Sequence, residues 1–145
     1  MRPEIKHVLV AVDGSEAANR AAAFAGEVAH VAGAKLTLLY AYDRADIASL
    51  SLDITSVERV AETERQRAHD AFNAARLAIG DRPPRIFEHT AIGRPAELIV
   101  ELARATPVQL IVVGSRGRAR LTEVLLGSTA QAVLHHAPCA VTVVH

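Results

Sequence analysis

Two short, nearly unbroken apolar runs constrain the fold of this chain more than any other feature. They are residues 5–12 (IKHVLVAV) and 110–113 (LIVV), and both are rich in β-branched residues. Strands that are buried on both faces have this character, and such strands belong in the middle of a parallel sheet. We therefore predict a parallel sheet that is covered on each side.

Segments with helical spacing alternate with strand-like segments along the chain. The first predicted helix, 16–32, places apolar residues three and four apart, and Gly33 follows as its stop. Thr55 and Glu58 have the spacing of a capping box that opens a second helix, and Pro95 suits the first position of a third. The predicted strands are 5–12, 36–42, 86–91, 110–113 and 139–144, and the predicted helices are 16–32, 55–79, the segment from 95 onward and 128–136.

This alternation implies an α/β fold in which one doubly wound parallel sheet of five strands carries helices on both faces. The mixed character of 86–91 suits an edge strand, and the polar stretch 43–54 suits a surface loop that could act as a flap. The chain has 145 residues and no internal repeat or flexible linker, so a single domain, 1–145, is expected. Only 3% of the residues are aromatic, so Ala, Val, Leu and Ile must build the core.

Charge and cysteine content narrow the class of protein. Lys plus Arg and Asp plus Glu both number 16, so no basic excess attracts the chain to a nucleic-acid backbone. No stretch approaches the roughly 20 apolar residues of a membrane helix, and the first residues lack the pattern of a secretory leader. Cys139 is the only cysteine, which excludes an intrachain disulfide. We expect a cytoplasmic protein with no nucleic-acid or membrane partner.

A glycine-rich pattern is the feature of this sequence that carries chemistry. Residues 114–117 (GSRG) follow a buried strand, and nine residues later 127–129 (GST) open a helix. Glycine lets backbone amides approach an anion, and the unpaired N–H groups at a helix start attract phosphate. In doubly wound sheets the ligand crevice lies where the loops after strands 1 and 4 face each other. Asp13 ends the first strand there, opposite Gly114.

The spacing G-x2-G-x9-G-[ST] after LIVVG resembles the nucleotide-binding pattern of ATP-binding universal stress proteins. Three further segments resemble blocks of that family in the same order: VAVDGSEAANRAAAFA, GRPAELIVELA and GSTAQAVLHHAPCAVTVV. The resemblance covers nearly the whole chain. It implies a Rossmann-like sheet with strand order 3-2-1-4-5 and a regulatory stress-response protein that binds ATP.

The resemblance also implies roles for particular residues. Asp13 would lie near the ribose or a phosphate-bound Mg²⁺, and the backbone at Ala41 and Val113 would flank the adenine and ribose. The glycines of the pattern, with Ser128 and Thr129, would hold the phosphates. The sequence departs from the family at Gln109, where relatives often have an acidic residue, and at Tyr40, where histidine is common. The expected nucleotide site comprises Ala11, Asp13, Ala41, Val113, Gly114, Arg116, Gly117, Gly127, Ser128 and Thr129.

Other interpretations of these residues remain open. Isolated glycines usually form turns, and Asp13 could simply cap the following helix, a task for which Ser15 is equally suited. Arg116, Arg118 and Arg120 could offset phosphate charge or form a solvated surface strip. Of these three, Arg116 is the expected contact.

The chain is not expected to be an enzyme. Its loop lacks the Gly-Lys-[Ser/Thr] ending of a Walker P-loop, and no activated nucleophile or base is evident, although slow ATP hydrolysis stays open. His135 and His136 suit a helix end better than a metal site, and Cys139 suits a small buried hydrophobe. The alternative function is a dimeric interaction module with a vestigial crevice.

The last predicted strand suggests how the chain associates. In the fold that the resemblance implies, residues 139–144 (CAVTVV) form a sheet edge without a charged or proline residue. Such an edge exposes unpaired N–H and C=O groups that invite pairing. We expect a homodimer through this strand, with Val141 and Val143, or Thr142 and Val144, meeting their counterparts. The sequence identifies neither a downstream protein partner nor the stress to which the protein responds.

Overall fold

The strands and helices of a computed structural model follow the predicted order. The structure describes residues 2–42, 54–116 and 126–145. The flap predicted at 43–54, except Ile54, and Gly117 lie outside these residues. The elements are β1 (His7–Ala11), α1 (Glu16–Ala32), β2 (Lys35–Tyr42), α2 (Ile54–Ile79), β3 (Arg85–Ile92), α3 (Pro95–Ala105), β4 (Leu110–Gly114), α4 (Ser128–His136) and β5 (Ala140–Val144).

The five strands form one parallel sheet in the order β3-β2-β1-β4-β5, which confirms the predicted topology. Strand β1 is central, with Val8 opposite Leu36 of β2 on one side and opposite Leu110 of β4 on the other. Strand β3 is an edge, as its mixed sequence predicted, and most of its residues are exposed. Strand β5 is the other edge. Successive strands are added toward one edge from β1 to β3 and toward the other edge from β4 to β5, so a crevice opens beyond the carboxyl ends of β1 and β4.

Each face of the sheet carries its own hydrophobic cluster. On one face, Val8, Val10 and Leu38 pack beneath the alanines of α1 and the Ala68 to Ala75 stretch of α2. On the other face, alternate residues of the same strands pack against Ile99 and Ala103 of α3 and Ala130 and Val133 of α4. Successive residues of a strand point to opposite faces, so strands with unbroken apolar runs fill both clusters.

Helix boundaries test the sequence signals one by one. Gly33 ends α1 in the left-handed conformation with φ 65°, and Pro95 opens α3, both as predicted. The second predicted helix, 55–79, is confirmed as α2 (Ile54–Ile79), and Thr55 lies in its first turn.

Gln109 ties the start of β1 to the start of β4. Its Oε1 accepts hydrogen bonds from the backbone N–H groups of Lys6 and His7, both at 2.9 Å. Its Nε2 donates to the Pro107 carbonyl at 2.8 Å. A side-chain oxygen is the acceptor that these two amides need, and Gln109 supplies it.

Replacing Gln109 with Ala is expected to lower the free energy of unfolding by about 1–3 kcal/mol, because two backbone donors lose their acceptor. Gln109→Glu is the matched control, since it keeps an acceptor for both amides and loses only the donor to Pro107. Urea titration of the three proteins measures the effect. Equal unfolding midpoints for the Ala and Glu variants would show that the two hydrogen bonds to the side-chain oxygen contribute nothing to stability.

His7 is a buried titratable side chain of β1, with 4% of its surface exposed. Its Nε2 lies 2.7 Å from Thr37 Oγ1 on β2, and within the described chain its Nδ1 has no hydrogen-bond partner. Burial, and secondarily the charge of Lys35, lower the pKa of His7 below its usual value of 6.5. Folding therefore favours the neutral form of this imidazole.

Stability is expected to fall as the pH drops below 6.5, the unperturbed pKa of His7. In that range the unfolded chain binds a proton at His7 that the folded chain excludes, so the free energy of unfolding rises with pH. His7→Gln removes this contribution and leaves all other titrating groups in place. Urea titrations at pH 7.5 and 5.0 should show a smaller pH effect in the variant, and an equal effect in both proteins would contradict the assignment.

Candidate functional site

A cavity of about 310 Å³ lies beyond the carboxyl ends of the central strands, at the point where the sheet order reverses. Its wall combines the ends of β1, β2 and β4 with the first turns of α1, α3 and α4. Gly117 lies outside the described residues. The remaining predicted site residues all line the cavity: Ala11, Asp13, Ala41, Val113, Gly114, Arg116, Gly127, Ser128 and Thr129.

The turn after β1 distinguishes the roles of Asp13 and Ser15. Ser15 is the N-cap of α1, because its Oγ accepts from the N–H of Ala18 at 3.2 Å. Asp13 Oδ1 accepts from the N–H of Ser15 at 2.9 Å and so closes the turn around Gly14, which has φ 84°. Asp13 is half-buried and lines the cavity. Ser15 therefore caps α1, whereas Asp13 closes the preceding turn and also lines the cavity.

Gly114 permits the close approach of α1 to the end of β4. A Cβ atom at this position would lie 3.0 Å from the carbonyl carbon and oxygen of Ala17. Real Cβ atoms rarely come so close to backbone, so a side chain here would displace either the helix or the loop. The need for glycine at this position is therefore steric, and sequence spacing alone did not reveal it.

The N-terminus of α4 forms the polar end of the cavity. The N-cap Gly127 supplies no side-chain cap, and its own N–H donates to the Ser115 carbonyl at 2.7 Å. The first-turn amides of a helix have no intrahelical acceptor, and here they lie beside the hydroxyls of Ser128 and Thr129. Amides, hydroxyls and the positive end of the helix dipole together form an environment suited to an anion.

The opposite part of the cavity is apolar. Ala11, Ala41 and Val113 meet side chains that the sequence did not single out, namely Leu39 of β2 and Ile99 of α3. Ile99 is fully buried beneath the cavity. The pattern of α3 marked Ile99 as a core residue, but nothing in the sequence indicated that this helix crosses the sheet beside the crevice. An apolar floor next to a donor-rich rim is the usual build of a small-molecule site.

The two departures from the family pattern lie away from the cavity. Tyr40 is buried on the opposite face of β2, where it packs edge to face against Phe72 and Tyr42 with centroids 6.3 and 5.5 Å away. Its neighbours Leu39 and Ala41 face the cavity instead. Gln109 lies at the amino end of β4, far from the loop that follows Gly114. Neither departure changes a residue of the cavity wall.

Charged and reactive side chains are few around the described cavity. Asp13 and Arg116 are the charged residues among its described lining, and Arg118 and Arg120 lie outside the described residues. Burial raises the pKa of the Cys139 thiol, which packs with the α3 and α4 cluster away from the cavity. In the described ranges, no cluster of three His, Cys, Asp or Glu side chains could hold a metal ion. No described helix is long and apolar enough to span a membrane.

Comparison with known proteins places this architecture in one family. The model of the universal stress protein family matches residues 4–145. A universal stress protein of Thermus aquaticus is 35% identical over 139 residues, covering 96% of this chain and 98% of its own. Among solved structures, UspA from Lactobacillus plantarum has a TM-score of 0.81 at 30% identity, with coverage of 99% and 100%. A universal stress protein in complex with cAMP has a TM-score of 0.68 at 27% identity, with coverage of 99% and 98%. This chain belongs to the universal stress protein family.

Proposed function

We propose that this protein is a regulatory stress-response protein that binds an adenine nucleotide, ATP above all, in the cavity beyond β1 and β4. One observation carries the proposal. The same cavity has an apolar floor and a rim of helix amides and hydroxyls. A base and ribose fit the first, and phosphates fit the second. The related protein that was crystallised with cAMP supports a nucleotide of this class.

Mg²⁺ is the proposed companion of the phosphates. Mg²⁺ is usually bound by one or two carboxylates together with substrate phosphates, and Asp13 is the described carboxylate of the cavity wall. This donor set fits the ion. Arg116, whose side chain is exposed beside the loop, would contact the phosphates from the solvent side. Asp13 would hold the ion, which would offset phosphate charge that no P-loop lysine neutralises.

Calorimetry with ATP, with and without Mg²⁺, tests the proposal. We expect binding that is tighter with Mg²⁺, and we expect protein purified without added nucleotide to release an adenine compound on denaturation. Absence of heat in both titrations would reject nucleotide binding. It would instead favour the alternative function, a dimeric interaction module whose crevice is vestigial.

The protein is proposed to bind nucleotide without rapid turnover. The described lining of the cavity contains no Ser, Cys or Lys paired with a general base in the manner of an activated nucleophile. ATP hydrolysis, where it occurs, should stay below about 1 s⁻¹, the low end of ordinary enzymes. Faster release of phosphate by the purified protein would overturn this assignment.

Three further features of the proposal concern the chain as a whole. We propose that residues 1–145 form one domain and that the protein works in the cytoplasm, where Cys139 stays reduced. We also propose a homodimer through β5, whose residues Val141 to Val144 are half-buried at an open edge. A downstream protein partner would recognise the nucleotide-bound state.

A further inference from the structure

Ser115 joins three parts of the protein at one residue. It lines the cavity, and only 6% of its surface is exposed. Its N–H donates to the Val144 carbonyl at the end of β5, at 2.9 Å. Its carbonyl accepts from the N–H of Gly127, the N-cap of α4, at 2.7 Å. Ser115 is thus bonded on one side to the last strand and on the other to the N-cap of the helix that carries the proposed phosphate donors.

The end of β5 has a second attachment, to helix α1. Arg20 of α1 donates through Nε to the carbonyl of His145 at 3.2 Å. Val144 pairs in register with Gly114, and the first turn of α1 packs directly on that glycine. The end of β5 is therefore bonded both to Arg20 of α1 and to Ser115. Because β5 is an edge strand with a single neighbour, these few bonds decide how well its carboxyl end is ordered.

We propose that Ser115 is a positioning residue that couples nucleotide binding to the order of the β5 end. This inference rests on the proposed function and adds a regulation of the same site. A nucleotide whose phosphates bind the α4 first turn holds Gly127 in place, and Gly127 holds the Ser115 carbonyl. The Ser115 N–H is then fixed toward Val144. By thermodynamic reciprocity, an ordered Val144 favours the loop conformation that binds nucleotide by the same factor.

The coupling gives the protein a way to present its bound state. The proposed nucleotide site is a cavity beyond the strand ends, whereas β5 is an open edge that another chain can reach. A nucleotide that orders the end of this edge changes a surface that a second copy can pair with. Association through β5 should therefore be tighter with nucleotide than without it.

Hydrogen exchange on the full-length protein tests the coupling without any substitution. We expect saturating ATP with Mg²⁺ to slow exchange at the amides of Ser115 and Val144 by at least about 5-fold, the low end of ordinary coupling factors. The measurement is made at a protein concentration low enough to keep the chain monomeric, so that association does not supply the protection. Unchanged exchange at both amides in the presence of bound nucleotide would overturn the coupling.

Two truncations provide the reciprocal measurement by calorimetry. Removal of Val144 and His145 deletes the acceptor of the Ser115 N–H, and ATP affinity should fall about 5- to 150-fold. Removal of His145 alone keeps that acceptor, so this truncation should bind within about 3-fold of the full chain. Equal affinity of both truncations would overturn the coupling while leaving the proposed function intact. Absence of binding by the full-length chain would reject both.

Discussion

Replacing Ser128 with Asp is expected to lower the affinity for ATP by roughly 10- to 100-fold while the fold remains intact. Ser128 opens α4 and lines the polar end of the cavity, so the new carboxylate would face the phosphates. Two unit charges about 5 Å apart repel by about 3 kcal/mol at an effective dielectric constant of about 20. Solvent screening at this exposed position reduces the repulsion, which sets the lower figure.

The same substitution separates binding from folding. A negative charge in the first turn of a helix interacts favourably with the helix dipole, so the urea midpoint of Ser128→Asp should equal or exceed that of the natural protein. Ser128→Asn is the matched control, because Asn has the size of Asp without its charge. This variant should retain most of the affinity for ATP. Calorimetry measures all three proteins. Equal ATP affinity in the Asp and Asn variants would place the phosphates elsewhere.

Replacing Val143 with Pro is expected to abolish the proposed homodimer and leave a folded monomer. The Val144 carbonyl points toward β4, where it accepts from Ser115. Because the backbone groups of successive strand residues point to opposite sides, the N–H of Val143 points to the open edge. Proline is tolerated where an edge-strand N–H faces outward. The variant thus loses a donor for a second copy and no bond within the sheet.

Thr142→Pro is the matched control for this prediction. The N–H of Thr142 points inward, as that of Val144 does, so its loss should break the β4 to β5 ladder and destabilise the fold itself. Sedimentation at micromolar concentration should give dimer for the natural protein and monomer for Val143→Pro, and circular dichroism should show both folded. A dimer that survives in Val143→Pro would place the interface on another surface.

Local sequence signals predicted most of the elements and the residues at the polar end of the cavity. The unbroken apolar runs in β1 and β4 predicted strands buried on both faces, since only a doubly covered strand uses every residue in a core. Gly33 and Pro95 marked helix ends because their backbone preferences are local properties. The glycine pattern predicted the loop after β4 and the start of α4 for the same reason. The strand order came from the family resemblance, because periodicity does not specify which strands are neighbours.

The remaining features depend on contacts between residues far apart in the chain. In the sequence, Leu39 and Ile99 cannot be told from other apolar core residues. Only the crossing of α3 over the sheet brings them to the cavity floor. Ser115 appeared in the sequence as one position of a loop, yet its bonds to Val144 and Gly127 make it the junction between the site and the last strand. The sequence by itself determined which segments are strands, helices and phosphate-loop candidates, because backbone preference and apolar periodicity are written locally. The tertiary structure alone decided that Leu39 and Ile99 join the cavity and that the end of β5 is bonded to it through Ser115, because those relations arise from packing across the sheet.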